Sequence, residues 1–383
     1  MIYLDYAATT PMSEEALETF VSASKHYFGN ERSLHDVGSN ASLLLEACRK
    51  QLAGFLNASP ASIYFTSGGT ESNILGLQTL LKSTKKPGRH ILTTNLEHSS
   101  INNYVKVLEE QGFEITYIPV NQNGIVSVDL IKKAIRDDTI LGIFQHVNSE
   151  IGAIQPIKDI AKLFKPFNIM LHCDCVQSFG KLDINLAEFD VSSLSISSHK
   201  LYGPKGVGAL YINPKLTSQP IYPGTSHESG IRPGTVNVPA IASFVTAVGH
   251  IFNSKNPDQQ RYLSLRQIFR NELKDVEKLV RFEGSDDDCI PNIIGMRING
   301  LEGQFVMLEC NRHQFAISTG SACAIGMQKP SETMLAIGRS EQEAKQFFRI
   351  SIGKYTNEED LTKLASTLKL IMKQNLLTEE LKK

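Results

Sequence analysis

Ile169-Met170-Leu171-His172-Cys173-Asp174 and Leu194-Ser195-Ile196-Ser197-Ser198-His199-Lys200 each open on a short run of strand-forming residues and close on charged or hydroxyl residues, with a longer stretch of mixed polarity between them. The runs have strand length and the spacer has room for a helix, so the pair predicts two strands of one sheet joined by a crossover. Working outward, Ile63-Tyr64-Phe65-Thr66, His90-Ile91-Leu92-Thr93, Ile115-Thr116-Tyr117-Ile118, Gly142-Ile143-Phe144-Gln145 and Gly208-Ala209-Leu210-Tyr211-Ile212 repeat the pattern. Strands alternating with helical segments make an α/β fold with a seven-stranded, mainly parallel sheet. Ligands of such sheets bind beyond the carboxyl ends of the strands, which directs attention to the polar residues after each run.

After Ile212 the pattern changes. A Gly/Pro/Ser-rich stretch from Tyr222 to Thr235 reads as a connection, followed by an apolar helix over about 239–252 and a charged helix from Gln260. Strands are expected at 293–298, 315–318 and 348–352, with a closing helix over about 358–373 and a fraying polar end over 375–383. The expected organisation is a large domain over 15–255 and a smaller α+β domain made of 1–14 and 256–383.

Of the 383 residues 41% are hydrophobic and 21% charged, which excludes disordered and collagen-like classes. Lys and Arg number 39 against 40 Asp and Glu, a formal net charge of −1, and no basic stripe stands out. Direct nucleic-acid binding is therefore not expected. Met1-Ile2-Tyr3-Leu4-Asp5 lacks a basic leader, and the longest apolar run, 236–252, is broken by Pro239. That run is short of the roughly 20 residues a membrane span needs, so a cytoplasmic protein without a membrane anchor is expected. The six cysteines (Cys48, Cys173, Cys175, Cys289, Cys310, Cys323) form no CxxC pair, and no metal site is expected.

The strand ends carry the chemistry. Thr66-Ser67-Gly68-Gly69-Thr70-Glu71-Ser72-Asn73 is a strand, a glycine turn and a helix start, which suits an anion and equally suits an ordinary turn with its N-cap. His98 follows the next run, and a lone histidine at that place is more often a surface or satisfied core residue. Asp174 closes an apolar strand, where a carboxylate must be paired or engaged in chemistry. Lys200 lies one strand later, and a lysine at a sheet mouth can have its pKa lowered enough to act as a nucleophile. An aspartate for a pyridinium nitrogen, a lysine for a Schiff base and a Gly-Thr helix start for a phosphate are together what pyridoxal 5'-phosphate requires.

Ser197-Ser198-His199-Lys200-Leu201-Tyr202-Gly203-Pro204-Lys205-Gly206, with Tyr3-Leu4-Asp5-Tyr6-Ala7-Ala8-Thr9-Thr10 and the Ser67–Asn73 stretch, resembles the NifS/IscS group of cysteine desulfurases, fold-type I pyridoxal-phosphate enzymes of the class-V aminotransferase-like branch. The resemblance runs from Ile2 to about Leu370. It implies that Lys200 is the Schiff-base lysine, Asp174 the partner of the ring nitrogen, and His98 a ring-stacking residue that moves protons. It further implies that Gln177 meets the phenolic oxygen, Asn148 lines the ring and substrate, and Gly69, Thr70, Ser197 and His199 hold the phosphate. Thr235 would reach the phosphate of a neighbouring subunit in a homodimer, and Arg349 would clamp the carboxylate of L-cysteine.

Cys323, in Ser318-Thr319-Gly320-Ser321-Ala322-Cys323-Ala324-Ile325-Gly326, is the discriminating residue. Its small-residue loop suits a swinging thiol; on residues alone a packed cysteine is as good a reading, and the resemblance makes it the nucleophile that takes up sulfur. Ala324 and Ile325 stand where small hydroxyl residues are common in the group, a departure that bears on the mobility of the loop and not on the thiol. The chain also stops soon after its closing helix, so an acceptor other than the group's usual scaffold is expected, such as a tRNA-thiolation enzyme or one iron–sulfur client. The implied activity is conversion of L-cysteine to L-alanine with a persulfide on Cys323. An aminotransferase or a selenocysteine lyase are alternatives that would need a keto-acid acceptor or a preference for selenium. A non-catalytic interaction subunit of the same fold would be expected to lack Lys200, Asp174 or Cys323, and all three are present.

Overall fold

The computed structural model describes residues 1–217, 219–222, 224–320 and 330–380. Twelve strands occur among them: β1 (Ile2–Tyr3), β2 (Ile63–Thr66), β3 (His90–Thr93), β4 (Glu114–Tyr117), β5 (Thr139–Gln145), β6 (Met170–Asp174), β7 (Ser193–Ser197), β8 (Gly208–Ile212), β9 (Val280–Glu283), β10 (Ile293–Ile298), β11 (Phe315–Ala316) and β12 (Phe347–Ser351). The seven expected strands form one sheet in the order β2-β8-β7-β6-β5-β3-β4. Only β8 runs against its neighbours in this sheet, pairing antiparallel with both β2 and β7. β5, β6 and β7 are buried throughout; β5 and β6 accordingly read as largely apolar runs, whereas β7 alternates small serines with Leu194 and Ile196.

Register decides what meets at the mouth. Gln145 pairs with Asp174, and Asp174 with Ser195, while Ser197, Gly208 and Thr66 line up across β7, β8 and β2. Because side chains alternate along a strand, Asp174 faces one side of the sheet, and Cys173 and Cys175 are buried in the core on the other, their sulfurs 3.5 Å apart. The helix Gly69–Ser83 lies on the Asp174 side. Gly76 lets it approach closely: a Cβ there would sit 2.9 Å from the His172 ring.

A second core gathers around a three-stranded antiparallel sheet, β12-β10-β9, the short pair β1-β11 and the closing helix Glu358–Glu380. Two expectations are corrected here. The apolar and charged helices are one, Val238–Glu272, with Pro257 in its interior. One lost backbone bond did not end a helix whose residues are anchored in both cores, with Phe244 in one and Phe269 in the other. The closing helix also continues to Glu380, past the expected fraying point. Strand β9 had no counterpart in the sequence reading, because Val280-Arg281-Phe282-Glu283 is short and half charged.

Candidate active site

A cleft of about 510 Å³ opens at the carboxyl ends of β2, β5, β6 and β7, a size suited to a cofactor with a small substrate. The expected residues Gly69, Thr70, His98, Asp174, Gln177, Ser197, His199, Lys200 and Arg349 all line it. Asn148 does not. It is buried, and its side-chain oxygen accepts from the backbone N–H groups of Glu150 (2.9 Å) and Ile151 (3.0 Å), so it shapes the turn that carries Ser149. Thr235 is exposed and away from this cleft, and Cys323 lies outside the described residues.

At one end the helix Gly69–Ser83 begins with Gly68 at its N-cap, at a φ of 145° and with no side-chain cap. The first N–H groups of a helix have no intrahelical partner and carry the positive end of its dipole. Beside them the Ser197 hydroxyl is buried without a partner. A Cβ on Gly69 would lie 2.8 Å from Val176, so glycine keeps this recess open. The Glu71 carboxylate, also on the cleft wall, is tied to the Ser67 N–H (2.5 Å) and to Arg232 (3.4 Å). An open hydroxyl, an uncapped helix start and a glycine recess fit a phosphate.

In the middle, Asp174 accepts from the Asn73 amide (2.8 Å) on one oxygen and from the Val176 N–H (2.9 Å) on the other. Asn73 also donates to the Ser100 hydroxyl (3.1 Å), and that hydroxyl lies 2.8 Å from Nδ1 of His98. Burial holds the His98 pKa below its ordinary value; Asp174 opposes this and Lys200 reinforces it. The Lys200 ammonium donates to the carbonyls of Ala7 (2.5 Å) and Ala8 (2.7 Å), which the Tyr3–Thr10 stretch brings across from the second core. Burial, helped by the charges of Arg349 and Lys181 and opposed by Asp5 and Asp174, pushes Lys200 down to about 7. Burial, with Lys200 and Lys205, likewise takes His199 down to about 4.

Gln177 donates to the Ala7 carbonyl (2.9 Å), and Lys181, which burial takes down to about 8, donates to the Gln177 carbonyl (3.0 Å). At the far end Arg349, almost fully buried on β12, donates to the Ser149 carbonyl (2.8 Å) and to Asp5 (2.7 Å), while its Nε has no partner. Sequence reasoning passed over Asn73 and Asp5 as site residues. Each stands in a quoted motif, and a polar residue on a buried helix face is the signal that could have singled out Asn73.

The family model described as aminotransferase class-V matches residues 2–364. NifS of Bacillus subtilis (strain 168) is 46% identical over 376 residues, covering 98% of this chain and 95% of the relative. The cysteine desulfurase IscS of Dictyoglomus turgidum is 37% identical, covering 97% of this chain and 95% of the relative. Among solved structures, a NifS-like protein superposes with a TM-score of 0.90 at 29% identity over 97% of this chain and 99% of its own. SspA in complex with cysteine superposes with a TM-score of 0.80 at 34% identity over 93% of this chain and 100% of its own.

Proposed function

Because the chain belongs to the class-V aminotransferase family, we propose that the cleft at the strand ends makes it a pyridoxal-phosphate-dependent cysteine desulfurase. The observation that carries this reading is one cleft holding three things at once: a buried aspartate, a lysine of lowered pKa, and an open phosphate recess marked by the unpartnered Ser197 hydroxyl. The recess of Gly69, Thr70, Ser197 and His199 would hold the phosphate, Asp174 would pair with the ring nitrogen, Gln177 would meet the phenolic oxygen and His98 would stack on the ring. Bound pyridoxal phosphate supplies an electron sink for negative charge on the substrate carbon.

The chain's own groups do the rest. Lys200, poised near neutrality, gives and takes a proton at Nζ without a large energetic penalty either way. Arg349 receives the carboxylate of L-cysteine, exchanging part of its hold on Asp5 for it. The Cys323 thiolate attacks the substrate sulfur: an S–S bond forms, the Cβ–S bond breaks, and its electron pair takes up a proton to give L-alanine. The enzyme keeps the sulfur as a Cys323 persulfide for an acceptor.

The protein acts as a homodimer in the cytoplasm. Phe28 (71% exposed), Leu34 (100%) and Leu43 (70%) are large apolar side chains left uncovered in the single chain, which supports a subunit interface on this segment. No disulfide links the cysteines among the described residues, and no described helix is long and apolar enough to cross a membrane. The test is direct: the purified protein, pyridoxal phosphate, L-cysteine and a thiol reductant are expected to give alanine and sulfide in equal amounts. Pyruvate and ammonia, or dependence on a keto acid, would overturn the assignment.

A further inference from the structure

Asn73 sits at the centre of a hydrogen-bond chain whose directions can be worked out from chemistry. A carboxylate only accepts, so the Asn73 side chain must turn its NH2 toward Asp174. Its oxygen then faces Nε2 of His172 (3.1 Å), which must carry a proton there. Burial keeps His172 neutral, its pKa taken down to about 3, so its Nδ1 accepts from the Ser193 hydroxyl (2.7 Å). The second hydrogen of the Asn73 NH2 goes to the Ser100 oxygen, which leaves the Ser100 hydroxyl its own hydrogen to give to Nδ1 of His98. The Ser100 backbone N–H donates to the same Nδ1 at 3.2 Å. Every polar atom of Asn73, itself only 1% exposed, is satisfied.

We infer that Asn73 is a positioning residue that ties the Asp174 carboxylate, through Ser100, to His98, aiming Asp174 and holding His98 with its proton on Nε2, toward the cleft. The close approach allowed at Gly76, one turn along the same helix, brings Asn73 within reach of Asp174 and His172 on β6, and Ser100 carries the link on to His98. The consequence for His98 is a ring kept neutral, with its one hydrogen offered to the cleft and its other nitrogen unable to pick up a second without breaking the chain. The charged groups acting on it are Asp174 from β6 and Lys200 after β7, and the neighbouring ring of His199, taken down to about 4, faces it uncharged near neutral pH. Asn73 damps the first of these, because its amide dipole faces the carboxylate. The catalytic meaning of this arrangement rests on the proposed function, whereas the proton positions do not.

The test is nitrogen NMR of the full-length protein labelled at histidine, loaded with pyridoxal phosphate and again after its removal, with His98 assigned by His98→Gln. His98 is expected to be neutral at pH 7.5 with its proton on Nε2, and its titration midpoint to lie below that of an exposed histidine. Asn73→Ala is expected to raise that midpoint by about half a pH unit or more and to lower kcat with little change in KM. Ser100→Ala, a milder change that cuts the chain one link on, is expected to move the midpoint the same way and covers the case in which Asn73→Ala does not fold. A proton on Nδ1 in the wild type, or midpoints unchanged in the folded variants, would overturn the inference. Failure of the wild type to make alanine would instead overturn the functional reading and leave the proton positions as they stand.

Discussion

Where β2 and β7 stop, the cleft leaves polar groups open: the Ser197 hydroxyl has no partner and the helix beginning at Gly69 has no cap. At the opposite end Arg349 arrives already held, by Asp5 and by the Ser149 carbonyl. The contrast fits two kinds of ligand. A resident phosphate needs a recess waiting for it, whereas a substrate that enters and leaves is better met by an arginine that can hand its charge back to a carboxylate of the protein. An unpaired buried guanidinium would be costly each time the substrate left.

The middle of the cleft separates binding from chemistry, so Lys200→Ala has the largest expected effect. Turnover is expected to fall to roughly a thousandth or less while the protein still binds pyridoxal phosphate, measured by alanine formation and by cofactor titration. Turnover near wild type would mean that the two ends flank a different reacting group. Next come the partners at the arginine end. Asp5→Asn leaves Arg349 without its counter-charge and is expected to destabilise the substrate-free protein by about 3 kcal/mol, an effect that L-cysteine partly reverses in a thermal melt. Arg349→Ala is expected to raise KM for cysteine about tenfold to a hundredfold, with cofactor affinity nearly untouched. Equal loss of both affinities would erase the distinction between the two ends.

Ser197→Ala is the smallest and most diagnostic change. It is expected to weaken pyridoxal phosphate binding about fivefold to tenfold. Because the hydroxyl has no partner in the unliganded protein, its removal is also expected to leave the melting temperature of the cofactor-free protein unchanged or slightly higher. A clear loss of stability without cofactor would show that the phosphate end is held together internally after all.

The phosphate end and the middle of the cleft were more legible in the sequence than the arginine end. Gly68, Gly69, Asp174, Ser197 and Lys200 each sit at a strand end, and a parallel sheet fixes where strand ends go. Strand boundaries moved by only a residue or so, apart from β5, which begins at Thr139, and β11, which stops at Ala316 where a strand to 318 was expected. What could not be read were pairings across long separations. Asn73 meets Asp174 from 101 residues away and Asp5 meets Arg349 from 344, and nothing local in either motif encodes a partner so distant. The reversal of β8 and the passage of one helix through Pro257 are likewise tertiary outcomes, settled by what packs around them. Asn148 shows the converse: the resemblance put it at the ring, and its side chain caps a turn behind the cleft wall.

Transfer of sulfur from L-cysteine to Cys323 is tested most directly by mass spectrometry of the protein after a single exposure to L-cysteine. A mass increase of one sulfur atom on the peptide carrying Cys323, removed by reductant and absent from Cys323→Ser and from Lys200→Ala, is the predicted result. Alanine and sulfide at the wild-type rate from Cys323→Ser, or the added sulfur on one of the buried cysteines instead, would contradict it.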